Sequence, residues 1–380
     1  KLEAAGGDEA FKAIAKAKPG KSIAAVAGDM VGCESMFAAK ALLRACGSSL
    51  VESRQTGMDY DVSNLAAVNF NSTFAGIENA DAILIVGSNV RWEAPLVNVR
   101  LRKAAKKGSK VFVVGPEWET TYPATFLGAD LAVLGKLPKD VTDAFKGASK
   151  PAVILGAAGF GAGAHGAALA VAEKLGATFN ALHTSAARMG ALMLGFAQPG
   201  GIADLVAAKP KVVLALGADE VDWSAFGDSL KVYVGHHGDK GAHAADIVLP
   251  AAAYTEKPGT YVNTEGRVQR SDKAVFAPGD AREDWTVLRA LADALGVSVG
   301  FDSFDQLRGL MVAEVPALGV EGLADYGALP KADKKAKAEG TIGSPIKDFY
   351  LTNPIARASV VMQQCSAQLL HGDALKEAAE

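Results

Sequence analysis

Cysteine is scarce in this 380-residue chain: there are three, Cys33, Cys46 and Cys365, far apart and without a C-x-x-C pair. That spacing argues against a disulfide framework and against an iron–sulfur centre built from these thiols alone. They read as buried thiols of a reducing compartment. Excess charge of either sign is lacking as well. Thirty-nine Lys and Arg against 42 Asp and Glu leave a net charge of −3, which makes no electrostatic case for nucleic acid. No apolar run approaches the roughly 18 residues needed to cross a bilayer, so no membrane span is expected. A G-x-S-x-G nucleophile elbow does not occur. Pro19-Gly20-Lys21-Ser22 has the look of a P-loop ending, but the first glycine would have to stand at Ala15, and the segment precedes a strand where a P-loop follows one.

Glycine, by contrast, is plentiful at 41 residues, and 49% of the chain is hydrophobic. Both suit an α/β protein with many strand-to-helix turns, and the length suits two compact domains. Short apolar runs at Ser22–Ala27, Ser49–Val51, Ala82–Val86, Lys110–Val114, Ala152–Leu155, Lys211–Leu216, Lys231–Val234 and Asp246–Leu249 suit buried parallel strands. Helical spacing appears at Glu34–Ala45, Pro95–Lys107, Ala164–Leu175 and Ala281–Leu295. The cations late in Pro95–Lys107 complement the helix dipole, and Gly108 closes it. Strand, turn, helix and strand in succession imply right-handed crossovers and parallel sheets. The reading is therefore two doubly wound α/β domains, 1–145 and 146–300, divided near Leu137–Ser149. An irregular C-terminal extension, 301–380, would contain an exposed linker at Pro316–Lys337 and a docking helix after Pro354 within Asp348–Leu370.

Several constellations invite a chemical reading. Gly161-Ala-Gly163-Ala-His-Gly166 matches G-x-G-x-x-G, but no acid follows at the end of the next strand to hold a ribose. His236, His237, His243 and Asp246 are a candidate metal set, although adjacent histidines diverge in an extended chain. Asp219, Glu220 and Asp222 follow the strand Lys211–Leu216, where α/β sites sit. The segment Thr255–Gln269 combines Gly259 and Gly266 with Thr260, Asn263, Thr264, Glu265, Arg267 and Gln269, a density of polar groups that must be satisfied if the loop is buried. It is either a satisfied structural loop or a pterin- or nucleotide-contacting one.

The same segment, LPAAAYTEKPGTYVNTEGRVQ after a strand, resembles a signature of the molybdopterin oxidoreductase family. Gly87-Ser88-Asn89 with Glu93 and Pro95 resembles that family's turn after a strand. Ser49–Gly57, Asn71–Ala82, Arg91–Arg102 and Asp348–Ala358, in that order, resemble the C-terminal region of the large peripheral-arm iron–sulfur subunits of NADH:quinone oxidoreductase (complex I). The likeness runs over nearly the whole chain. It implies a molybdopterin-oxidoreductase-type fold and a parent assembly that oxidises NADH, reduces quinone and translocates protons. It further implies [2Fe-2S] and [4Fe-4S] clusters carried on residues preceding this region. The start, Lys1-Leu2-Glu3, accordingly reads as the beginning of a portion of a longer polypeptide.

Departures from the active family pattern are consistent with one another. Val90 stands where a proline is usual. Glu117 follows Gly115-Pro116 where an arginine would pair with phosphate. The stretch Val51–Asp59 offers no cysteine to molybdenum, only Ser53 and Asp59 as oxygen ligands out of register. The expectation is a cofactor-free structural scaffold with no catalytic or metal-ligating residue. Gly87, Ser88, Asn89, Gly161, Gly163, Gly166, Gly259, Thr260, Asn263, Glu265, Gly266 and Arg267 would be relics of pterin-type loops. Expected partners are other peripheral-arm subunits, with the chain peripheral on the cytoplasmic face of a bacterial inner membrane or on the mitochondrial matrix side. The alternatives are an active molybdopterin-dependent oxidoreductase and a dinucleotide-binding module. Arg267 is expected to be held by Glu265 or nearby carbonyls.

Overall fold

The computed structural model describes residues 3–58 and 60–372. Apolar pentapeptides such as IAAVA and AILIV are buried along their whole length, as strands of a parallel sheet covered on both faces must be. The chain begins one sheet with β1 (Ile23–Ala27) and β2 (Leu50–Glu52) and then leaves it. It builds a second sheet completely from β3 (Ala82–Val86), β4 (Lys110–Val114), β5 (Thr125–Phe126), β6 (Pro151–Leu155) and β7 (Thr178–Ala181). It then returns to finish the first with β8 (Val212–Leu216), β9 (Leu230–Gly235) and β10 (Ile247–Pro250). All pairings in both sheets are parallel.

The completed sheet runs β5-β4-β3-β6-β7 and the interrupted one β10-β9-β8-β1-β2. Numbered within each sheet, these are the two common doubly wound orders, 3-2-1-4-5 and 2-1-3-4-5. Each reverses direction once, between β3 and β6 in one sheet and between β1 and β8 in the other. The doubly wound α/β class expected from the sequence is present.

The division into 1–145 and 146–300 is corrected. A cut at 145/146 passes between β3 and β6, which pair over five residues from Ala82↔Pro151 to Val86↔Leu155. The unit carrying β3–β7 is inserted between the two parts of the other sheet. Strand pairing across distant sequence, rather than a polar linker, sets the division.

The extension at 301–380 is corrected in its first part. Phe304–Glu314 is a helix that buries Leu307 and Met311 completely, each worth about 1.5–3 kcal/mol of apolar burial. It lies against the helix Cys33–Ala45, where Arg308 meets Glu34 at 2.9 Å and Glu314 takes Lys40 at 2.8 Å. The expected linker Pro316–Lys337 is also partly structural. Leu318 is buried, and β13 (Gly322–Leu323) adds to an antiparallel sheet with β11 (Gly259–Val262) and β12 (Arg267–Ser271). Lys331, Lys334, Lys335 and Lys337 are exposed as expected. The single helix expected after Pro354 is broken into Pro354–Ala358 and Val360–Cys365. Ser359 is extended between them, and its side chain caps the second helix at the Met362 N–H. No helix among the described residues is long and apolar enough to cross a membrane.

Candidate functional site

In doubly wound sheets ligands sit beyond the carboxyl ends of the strands at the reversal point. Both reversal points of this chain are closed by backbone. At β1/β8, a Cβ on Gly28 would lie 1.9 Å from the Gly217 carbonyl oxygen. At β3/β6, Gly87 has φ +62, and a Cβ there would lie 2.2 Å from the Gly159 nitrogen. A Cβ on Gly156 would meet Ser88 at 2.3 Å. Only glycine permits these turns to touch.

The β3/β6 turn is also already engaged by a side chain of the protein. Glu93 accepts from Ser88 Oγ at 2.8 Å, from the Asn89 N–H at 3.0 Å and from the Ala157 N–H at 3.5 Å. Burial raises this carboxyl above its ordinary range, opposed by those three donors. Asn89 caps the short helix Val90–Glu93 through the Trp92 N–H, and Val90 is buried in its first turn.

Between the two sheets the carboxyl ends face a cleft of about 810 Å³ whose walls include Asp29, Gln55, Trp92, Gly161, Arg188 and Glu220. Residues 341–348, 351, 352 and 357 line it as well, so the C-terminal segment runs along it as a strap. Arg357 anchors the strap: it pairs with both Asp239 and Glu220 and donates to the Leu351 carbonyl at 3.2 Å.

The candidate residues divide between this cleft and a different place. Gly161 lines the cleft, whereas Gly87, Ser88 and Asn89 line an adjoining pocket of about 510 Å³ with Trp92, Glu117 and Ser344. Gly161 ends the short helix Ala157–Gly161, and Gly163 (φ +71) and Gly166 come only at the start of the helix His165–Leu175. The glycine that directly follows β6 is Gly156. The G-x-G-x-x-G match therefore does not form a strand-to-helix phosphate turn, because a helical turn intervenes.

Gly259, Thr260, Asn263, Glu265, Gly266 and Arg267 belong to the β11–β12 hairpin and do not line the cleft. Thr260 bonds Glu34 through both its N–H (2.8 Å) and its hydroxyl (2.6 Å). Glu265 accepts from the Phe74 N–H at 2.7 Å and from Arg267 Nε at 3.0 Å, as expected for Arg267. Asn263 Oδ1 accepts the Arg267 N–H at 2.9 Å. Thr264 Oγ1 donates to Ala181 O at 2.8 Å, and the Thr264 carbonyl accepts from Phe70 N at 2.8 Å. Phe74 and Ala181 sit in the inserted unit and Glu34 in the other, so the hairpin clamps the two together.

Other candidates are engaged structurally. Asp219 accepts from Tyr233 Oη (3.1 Å) and the Gly241 N–H (2.9 Å), and burial raises its carboxyl. Glu220 serves the strap, and Asp222 caps the 3₁₀ turn at Ser224. His236 Nδ1 lies 2.6 Å from His237 Nδ1, and burial lowers His236 to about 4. Asp246 accepts from the Lys231 N–H at 2.8 Å, and His243 sits in the helix Lys240–Ala244. Ser53 is buried and accepts from Arg188 Nη1 at 3.1 Å. Asp59 lies outside the described residues. Glu117 is exposed at the end of β4. Cys33 is buried, and burial raises its thiol well above the ordinary range.

Sequence reasoning missed the fully buried pair Glu52 and Arg54 beside the cleft, joined at 2.7 Å. Its one signal was the opposite charges of Glu52 and Arg54, two residues apart at the end of an apolar strand.

A family profile described as Molybdopterin oxidoreductase matches residues 1–294. The chain belongs to that family. A second profile, for the C-terminal part of the NADH-ubiquinone oxidoreductase G subunit, matches residues 322–365, which include much of the strap. The chain is 38% identical to the NADH-ubiquinone oxidoreductase 78 kDa subunit of Neurospora crassa, covering 98% of this chain and 54% of that protein. It is 35% identical to the G subunit of NADH-quinone oxidoreductase from Rickettsia felis, covering 96% and 56%. It is 34% identical to the NADH dehydrogenase [ubiquinone] iron-sulfur protein 1 of Solanum tuberosum, covering 92% and 50%. The chain thus spans about half the length of these relatives. Among solved structures, acetylene hydratase from Pelobacter acetylenicus superposes with a TM-score of 0.58 at 16% identity, over 95% of this chain and 68% of that one. A formyltransferase/hydrolase complex from Methylorubrum extorquens gives 0.58 at 19% identity, over 78% and 97%. At these identities the likeness is one of fold.

Proposed function

We propose that this chain is the molybdopterin-oxidoreductase-type portion of a G-type (78 kDa) subunit of NADH:quinone oxidoreductase, and that it works there as a scaffold without a pterin. The observation that carries the scaffold reading is Glu93. A pterin phosphate at the β3/β6 turn needs the N–H groups of Asn89 and Ala157, and a carboxylate of the protein already takes them. The residues around the cleft fit the group no better. Asp29, Glu93, Glu220 and Asp348 border it together with Arg188, Lys240, Lys347 and Arg357, and of these cations Arg357 is spent on Glu220 and Asp239 and Arg188 donates to Ser53. Ser53 Oγ, one of the two oxygen ligands considered for molybdenum, already accepts from a guanidinium. The strap tied down by Arg357 narrows the opening further.

Support for the assembly comes from the three relatives and from the match of the strap to the profile of the G subunit's C-terminal part. In that setting the clamp hairpin and the strap hold the two α/β units together beside an electron-carrying region, and fold is retained where cofactor chemistry is not. The partners are other peripheral-arm subunits, and the site of action is the membrane's cytoplasmic or matrix face. The parent subunit's [2Fe-2S] and [4Fe-4S] clusters lie outside this chain.

The test is elemental analysis of the purified chain by mass spectrometry with fluorescence of acid-released pterin, alongside purification of the native assembly with NADH:quinone activity as readout. Molybdenum, tungsten and pterin below stoichiometry, with the chain in the active assembly, is the expected result. One equivalent of metal and pterin would make the chain a redox enzyme in its own right and overturn the scaffold reading.

A further inference from the structure

The helix Pro95–Lys106 turns one face to solvent, and no other described residue covers it. Val97, Asn98, Leu101 and Ala104 are buried beneath it. On the opposite face Leu96 is 79% exposed and Val99 49%, and Lys103 and Lys106 follow them at helical spacing, with Arg102 and Lys107 alongside. Exposed aliphatics over the first two turns thus run into cations over the last. The segment 91–110 holds seven cations, at 91, 100, 102, 103, 106, 107 and 110, in a chain of net charge −3. Its one carboxylate, Glu93, is directed to the β3/β6 turn. Glu78 takes both Arg100 and Lys103, which still leaves the face positive.

We infer that this face docks a protein partner whose surface presents carboxylates around an apolar centre. Leu96 and Val99 would be the desolvated anchors and the lysines and Arg102 the charged rim. Rim charges of this kind steer encounter and fix register. The inference rests on the reading of the chain as a subunit and adds which surface docks and what chemistry it meets. Other occupants fit less well. A second copy of this chain in a two-fold contact would set the same cations against each other. A wholly apolar partner would bury them uncompensated. An anionic bilayer would attract the lysines, but two exposed aliphatic side chains offer little to insert, whereas interfacial helices bury a whole apolar face.

The test uses the native assembly purified with this chain either unaltered or carrying Leu96→Asp, Arg102→Glu and Lys106→Glu together, which leaves the Lys103–Glu78 pair in place. A second variant, Leu96→Ala with Val99→Ala, removes the anchors without adding charge. All substituted side chains are solvent-facing, so melting of the variant chains should match the parent. Recovery of the chain in the assembly should fall by about tenfold or more for the charge-reversed variant, the scale of losing an interface anchor. Zero-length carbodiimide coupling of the unaltered assembly should join Lys103, Lys106 or Lys107 to a carboxylate of one other subunit. Equal recovery of both variants, with no such coupling, overturns this inference and leaves the subunit reading standing. An unaltered chain absent from any NADH-oxidising assembly overturns both. Sedimentation of the unaltered chain with phosphatidylserine vesicles, lost in the charge-reversed variant, would assign the face to lipid and overturn the protein partner.

Discussion

Replacing Arg54 with methionine tests whether the two chain crossings are locked by a buried ion pair. Both Glu52 and Arg54 side chains are fully buried. Arg54 donates to Glu52 through Nε (2.9 Å) and Nη2 (2.7 Å), and its guanidinium also reaches the carbonyls of Tyr60 and Gln198. Tyr60 lies on the segment leaving the first sheet and Gln198 on the segment returning to it, so one guanidinium ties both crossings to the end of β2. Glu52 keeps the N–H groups of Ser53, Arg54 and Gln198 after the substitution, which offsets part of the loss. Stripping one partner from a buried pair still costs about 3–5 kcal/mol. Urea unfolding followed by tryptophan fluorescence should show that loss for Arg54→Met. The double variant Glu52→Gln with Arg54→Met should cost less than the sum of the two single changes, because neither then strands a buried charge. A loss under about 1 kcal/mol, the scale of an exposed pair, would refute the lock.

Gly266→Ala should destabilise by about 1–3 kcal/mol, since φ is +80 and the new Cβ would lie 2.3 Å from the Tyr326 ring; an unchanged urea midpoint would contradict the clamp. Arg267→Ala should cost about 1 kcal/mol, because its side chain is 42% exposed and Glu265 retains the Phe74 N–H; unchanged melting with failed assembly would place Arg267 at a subunit contact instead. His183 Nε2 lies 2.7 Å from the Val68 carbonyl oxygen, and the ring is lowered to about 3, by burial first and then by Arg188. Its folded value is below the unfolded one, so its contribution is present above about pH 6.5 and declines as pH falls toward 3, by about 1.4 kcal/mol per pH unit; His183→Gln should flatten that slope in pH-dependent urea melts, and a parallel slope would refute the assignment. Glu93→Ala should free the Asn89 and Ala157 N–H groups and cost about 1–3 kcal/mol, and added phosphate should raise the melting temperature of this variant more than that of the parent; equal shifts would show that the turn is no anion site.

The strands were legible because burial on both faces leaves a continuous apolar run, and Ala82–Val86 or Lys110–Val114 can hardly be read otherwise. The domain division was not, since nothing local in Pro151–Leu155 says that it pairs with β3 and not with a later strand. Helix Phe304–Glu314 was not legible because only Leu307 and Met311 are deeply buried, while the polar Arg308 beside them makes its contact with Glu34 far away in sequence. The Thr255–Gln269 segment shows a deeper limit. Its polar density signals groups that must be satisfied, but composition cannot say by whom, and here Phe74, Ala181 and Glu34 of the same chain supply the partners. The glycines make the same point from the backbone side. Gly28, Gly87 and Gly156 are required because the crossover turns press against each other closer than a Cβ allows, whether or not a ligand lies above them. A glycine-rich resemblance to a cofactor family therefore reports the packing of the turns. What separates a binding turn from a closed one is the side chain that faces its N–H groups, and at β3/β6 that side chain is Glu93.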